Sequence, residues 1–468
     1  MKKAFFILLS TLLMMNPVTA SANSAQTYFR GISPTGAMIT GEQSPLVVEQ
    51  ERLTFDLQEF PSEYYNDLEE YLAYTGKVTA EYTFHNPADY DVTVKLAFPF
   101  GQTPDYGYSY DPDTDQRVYT ADGEKYDVVV DGVPIEKTVR HTLLSPGEDF
   151  ELEKDLPRLM DGYAEDAFWK FDTPVTKYTY TIDGIDEEFD AARLGFQWSG
   201  DENKTKLMLV DQCGGEDTEE FVAVTRWVEN GDTIELYVFG EPLEQELEWF
   251  SENGAEDMPF PYTLTLKETE TMNFREFTMA KYSEDSGILP SDWYNAMVES
   301  LRNGEWNFGI LWGFEYEETD LSNALLRWYE YEITVPAGGT IVNTVTAPMY
   351  PSVDLDYKPP VYEYTYLLSP AKTWAKFGTL DMVINTPYYM TKSDNGFSFE
   401  KTETRYQAFF DGLPDGELEF TLSTEEKPKP PLWDRLQRVR LLEAVVLFVL
   451  AAISVRKYNE RQQKNREQ

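Results

Sequence analysis

Three aspartates at alternate positions, Asp111, Asp113 and Asp115 in "YDPDTDQRVYTADG", are the stretch best suited to metal chemistry. Oxygens converging from such a spacing suit calcium, a hard cation that takes roughly six to eight oxygen ligands. A helix-loop-helix calcium loop has Gly at its sixth position and an acid at its twelfth. Here Gln116 and Asp122 fall at those positions, so the match is partial and a solvated hairpin loop competes with it. Calcium is the one cofactor the sequence offers. A second chemistry, glycan hydrolysis, needs two carboxylates about 5 to 10 Å apart, often beside aromatic platforms. With 83 acidic residues no pair can be singled out. Trp293, Trp306, Trp312 and Trp328 cluster along the chain with Tyr294, Phe308, Phe314 and Tyr316. Exposed, these rings would stack on glycans or peptides; packed inside, they would be ordinary β-protein core.

Nucleophilic catalysis finds little support. The histidines are His85 and His141, and His85 ends an alternating run directly before a turn. No Gly-x-Ser-x-Gly elbow occurs, and "DQCGG" around Cys213 shows no sign of thiolate activation. HExxH and CxxC patterns and glycine-rich phosphate loops are also missing, and "PAGGT" (336–340) has the composition of a hairpin turn. A single cysteine rules out an internal disulfide.

Charge narrows the partners. The net charge is −44; residues 1–22 add +2 and residues 433–468 add +4, so the region between carries −44 − 2 − 4 = −50. Nucleic acid and anionic lipid, whose binding needs basic residues, are excluded for this body. Its composition, 42% hydrophobic and 15% aromatic, is that of a chain with a core to bury.

The elements that would position these residues are strands. Ten Asx-Gly pairs punctuate the chain and suit tight turns. Between them run short alternating segments: "VTAEYTFH" places Val78, Ala80, Tyr82 and Phe84 on one face, and "YEYEITV" does so with Tyr329, Tyr331, Ile333 and Val335. The expected fold is mainly β, with antiparallel sandwich-like domains and a few short helices. One helix is expected over 291–304, capped by Ser291 or Asp292, with Trp293, Met297 and Leu301 on one face; a weaker one falls over 63–76. Domains are expected at 23–265 and 266–423, the latter including an immunoglobulin-sized part at 328–423.

The two ends give an address. Lys2 and Lys3, the apolar run Ala4 to Met15 and the small residues Ala20-Ser21-Ala22 have the layout of a signal peptide over 1–22. A proline-rich linker, 424–432, leads to an expected transmembrane helix over 433–455, whose apolar run starts at Leu441. Arg440 and Arg456 flank that run, and the basic tail 456–468 fits the cytoplasmic side. A helix lying on the membrane, or packed on the protein, would also fit these residues.

The stretches "SPLVVEQERLTF" and "GKVTAEYTFHNPADYDVTVKLAFPFG" resemble an exported bacterial family of unknown function, through Glu51, Leu53, Val78, Tyr82, Phe84, Asn86, Ala97, Phe98 and Pro99. "YLLSPAKTWAKFGTLDMVINTP", with Trp374 and Gly378, resembles a later part of that family. The resemblance covers about a quarter of the chain and implies no activity. The expected whole is a single-pass protein with its body outside the cell, binding or scaffolding an envelope glycan or protein. A surface glycan hydrolase, or an envelope or cation sensor coupled to a membrane partner, are the alternatives.

Overall fold

Alternation decides which faces are buried. In strand Gly76–His85 the residues Val78, Ala80, Tyr82 and Phe84 all face inward, and in Leu325–Val335 the expected set Tyr329, Tyr331, Ile333 and Val335 does the same. The structure, a computed structural model, describes residues 44–58, 76–101, 127–144, 150–253, 258–312, 321–322 and 324–430, apart from 187, 188, 190, 244, 395, 396 and 403. The strands Tyr28–Phe29, Met38–Ile39, Tyr108–Asp111 and Gln116–Tyr119 are also described. The signal peptide, the weaker helix, the membrane span and the tail lie outside these residues.

An eight-stranded sheet runs in the order Glu400–Lys401, Arg405–Phe410, Lys376–Asn385, Val47–Leu57, Gly76–His85, Thr340–Met349, Asp127–Val130, Val133–Pro134. Within it, Val47–Leu57 and Lys376–Asn385 run parallel, an exception to the expected antiparallel pairing. Two smaller sheets share its core. One centres on Val361–Tyr366 and Leu418–Ser423; the other contains Thr138–Leu143, Leu325–Val335 and Val92–Gly101. Phe55 meets Tyr366 and Phe420 edge to face across this sandwich, with centroids 5.7 Å apart in both pairs.

The sheets do not part at the expected 265/266 boundary. Thr340–Met349 pairs with Gly76–His85, and Lys376–Asn385 with Val47–Leu57, so both sides of that boundary build one sheet. Alternation says which face a strand buries but not its partner. The chain instead leaves the sandwich at Leu143 and re-enters at Leu325, residues that are register partners. Between them lies an inserted module of two four-stranded sheets facing each other over Leu194, Phe196, Leu207, Val224, Ile234 and Leu236. Helices Phe274–Met279 and Pro290–Asn303 cover the back of one of these sheets. Pro290–Asn303 is the expected helix, with Trp293, Met297 and Leu301 buried together. It opens on Pro290, one residue before the expected start, so the N-cap is Leu289, which has no polar side chain to cap with, and Ser291 and Asp292 fall inside the first turn.

One turn differs from its sequence reading. "PAGGT" joins strands of different sheets, so it is a corner of the sandwich and not a hairpin, although Gly339 N still donates to Pro336 O at 2.9 Å. Asn86-Pro87 makes the adjacent corner, leading from Gly76–His85 to Val92–Gly101. Asp131-Gly132 is a tight hairpin as expected, with φ of 48° and 82°. The proline-rich spacer is pinned at one point, where Lys429 exchanges backbone hydrogen bonds of 3.1 and 2.9 Å with Lys358. Among the described residues no helix is long and apolar enough to cross a membrane.

Candidate functional site

The clustered tryptophans do not form one surface. Trp293 and Trp328 are 1% and 0% exposed, and their indole N–H groups donate to Thr278 O (2.8 Å) and Thr142 Oγ1 (2.7 Å). They are core residues with satisfied polar tips, which removes them from any stacking platform. Trp306 and Trp312 remain half-buried and pack together at 5.0 Å, with Trp306 lying over the backbone of Gly215. Of the calcium candidates, Asp111 ends strand Tyr108–Asp111 opposite Gln116, while Asp113 and Asp115 lie outside the described residues. Among the described residues no group of three or more acidic, histidine or cysteine side chains is placed to hold a metal ion.

Aromatic chemistry is concentrated elsewhere, at one end of the inserted module. Strands Ala192–Trp198 and Thr233–Gly240 end there, and the segments that follow them, with the start of Trp249–Asn253, enclose an open cleft of about 750 Å³. Trp198, Trp249 and Phe250 line it. Trp198 donates its indole N–H to Phe308 O at 3.0 Å, and Gly200 lies flat on its ring, where a Cβ would fall 2.1 Å from a ring carbon. Trp249 is held edge to face by Phe196 (5.3 Å) and Tyr180 (5.5 Å), and its carbonyl accepts from Tyr262 Oη at 2.9 Å.

The lining around Lys204 and Glu241 is equally fixed. Gly240 has φ of 88° and approaches Lys204 O so closely that a Cβ would meet it at 2.1 Å. Around it Glu241 N donates to Lys204 O (2.8 Å), Thr205 Oγ1 to Glu241 O (3.0 Å), and Lys204 N to Asp201 O (2.9 Å). The rim carries Asp201, Glu241, Glu246 and Glu248 against Lys204, giving −4 + 1 = −3. A concavity of this size, lined by two fixed indoles and by polar groups, is the form a small-ligand site takes. A site on the sandwich face around Phe409, and one beside the exposed Trp227, are comparably large but lack paired indoles.

Two groups of buried charge lie away from the cleft. Arg140 and Asp292, 5% and 2% exposed at the side chain, face each other through guanidinium contacts of 2.9 to 3.1 Å. His141 N adds a bond to Asp292 Oδ2 (2.9 Å), and Arg140 also reaches Glu330 (3.0 Å) and Met160 O (2.6 Å). Burial raises the Asp292 carboxyl despite Arg140, and lowers His141 to about 4, helped by Arg327 and Arg140. His141 is therefore neutral at physiological pH. The second group surrounds Glu51, 1% exposed in the sandwich, whose pKa burial raises to about 7 with the Tyr82 hydroxyl opposing. Composition gave no hint of the cleft, because Trp198 and Trp249 are distant in sequence.

No family model matches the chain, and no curated protein does. Among solved structures, the chain is similar to a protein of Legionella pneumophila described provisionally as a nutrient binding protein. That likeness has 10% identity and a TM-score of 0.34, covering 85% of this chain and 72% of the other. It is too slight to carry a functional reading.

Proposed function

We propose that the protein is an exported binding protein of a bacterial envelope, and that the cleft between Trp198 and Trp249 is its ligand site. The observation that carries this reading is the rigid presentation of two indoles, each fixed by contacts that do not depend on a ligand. Prearranged groups bind without a large ordering cost. The ligand class that fits is a neutral or cationic glycan or peptide with a flat apolar face; the rim charge of −3 disfavours anions. The signal-peptide layout at 1–22 and the apolar run from Leu441 support a body outside the membrane with the basic tail inside.

The test is titration of the detergent-solubilised full chain with a panel of envelope glycans and basic peptides, followed by tryptophan fluorescence. Saturable quenching without turnover is expected, and Trp198→Ala or Trp249→Ala should weaken binding by about 2 kcal/mol, roughly 30-fold in Kd. Binding unaffected by both substitutions would place the site elsewhere. Turnover of a bound glycan, lost in Glu246→Gln or Glu248→Gln, would make the protein a hydrolase instead. Membrane fractionation in the native host addresses the anchor: the protein should sediment with membranes, and intact protein found only in the medium would overturn that half.

A further inference from the structure

Strand Val47–Leu57 carries Glu51, Leu53, Phe55 and Leu57 on its inner face. The phase is set by an irregularity between Val48 and Gln50, where the pairing with Gly76–His85 skips Glu49. Gly378 on the parallel neighbour makes room for it, since a Cβ there would fall 2.0 Å from Glu49 O. The outcome is a carboxyl group in the middle of an apolar core.

Among the described residues its surroundings hold no counter-charge. Tyr82 faces it across the ladder from Gly76–His85, and Leu380 from Lys376–Asn385. From the covering sheets come Tyr366 and, beside it, Tyr331, and Thr340–Met349 contributes Asn343, the register partner of Tyr82. All are neutral. Arg52 and Asp381, adjacent in the ladder, point to the opposite face of the sheet. The Tyr82 hydroxyl comes near enough to influence the carboxyl, but neither Glu51 oxygen makes a hydrogen bond of good geometry. Asn343 Oδ1 is likewise buried without one, while Asn343 Nδ2 donates to Tyr331 Oη at 2.9 Å. An ionised carboxylate here would have no cation and no full set of donors, a state that burial opposes strongly.

We infer that Glu51 is a proton-binding site in the sandwich core, filled when the sheets are closed, and that loss of its proton loosens their contact. The protein is thereby a pH-responsive body whose sandwich is tighter on the acid side of neutrality. The direction of the carboxyl's shift, up from 4.5 to about 7, agrees. A pKa raised in the folded state means that stability is full below 4.5 and is lost as pH rises through about 7. This inference is independent of the cleft.

The experiment is thermal melting of the full chain and of Glu51→Gln from about pH 4.5 to about pH 8.5, reading the difference between their slopes. Glutamine keeps the size and cannot ionise. The wild type is expected to lose several degrees more than the variant across this range, and the variant to be the more stable at the alkaline end. Parallel slopes would overturn the proposal, as would a variant less stable at the alkaline end. If Glu51→Gln does not fold, Glu51→Met takes its place. Difference infrared spectroscopy gives a second readout: a protonated-carboxyl stretch at neutral pH that disappears at alkaline pH and is missing from the variant. A spectrum without that band at pH 6 would also sink it.

Discussion

Asn86 shows how much one polar side chain can organise. It is fully buried, and its Nδ2 is shared among Tyr90 O (2.8 Å), Val335 O (3.0 Å) and Pro336 O (3.1 Å), while its Oδ1 accepts from Ala88 N (3.0 Å). Two neighbouring corners of the sandwich are thus tied by one amide. Asn86→Ala leaves the buried Val335 carbonyl unpaired and hands the three part-buried groups to water, so it should cost about 2–4 kcal/mol, at roughly 1–3 kcal/mol for a group left fully unpaired. Asn86→Asp is the sharper test, because a carboxylate would face three carbonyl oxygens. Denaturant titration should find it less stable than the alanine variant at pH 7, and recovering on acidification as the carboxyl regains a donor. Glu51 makes the complementary point. A rise from 4.5 to about 7 corresponds to about 3 kcal/mol at about 1.4 kcal/mol per unit, the size of the alkaline loss expected for the wild type relative to Glu51→Gln. Its inward phase was legible in the sequence, since Glu51, Leu53, Phe55 and Leu57 alternate. Nothing in that alternation marks the carboxyl as buried without a counter-charge, a placement acidic residues rarely take.

At the level of elements, period-2 patterning revealed the strands and their buried faces, and the helix Pro290–Asn303 followed from its apolar spacing. Pairing was not legible, because partners such as Val47–Leu57 and Lys376–Asn385 are held far apart in sequence by the insertion between them. The same cause dispersed the tryptophans: Trp293 entered the helix-covered core and Trp328 a small cluster with Leu144, although they are close in sequence. Trp198 and Trp249 reached one cleft through strand ends that only the folded sheets bring together. The irregularity at Glu49 left no pattern of its own beyond the phase change it causes. It rests on Gly378, so Gly378→Ala must displace the Glu49 carbonyl or the parallel strand. A loss of about 1–3 kcal/mol is expected for such overpacking. Hydrogen exchange should locate it in Val47–Leu57 and Lys376–Asn385, leaving the inserted module unchanged.

At the scale of the molecule, the inserted module is fastened to the sandwich by charge as well as by apolar contact. Arg140 belongs to strand Thr138–Leu143 of the sandwich and Asp292 to the module's helix, and the pair is buried where the two parts meet. Glu330, on the adjacent strand, takes the guanidinium from the other side, and Lys95 reaches Glu330 at 3.2 Å. Removing one partner leaves the other charge buried, which costs about 3–5 kcal/mol, whereas replacing both with apolar groups of similar volume is often near neutral. Asp292→Ala is therefore expected to lose about that much, and Arg140→Met with Asp292→Leu to recover most of it. Because the pair joins parts with separate cores, its loss should also divide unfolding. Calorimetry of Asp292→Ala is expected to show two transitions where the wild type shows one, with limited proteolysis cutting first between 144 and 324. A single transition shifted to lower temperature would mean that the apolar contacts of Leu143 and Leu325 with the module's helix core are enough to keep the two parts cooperative.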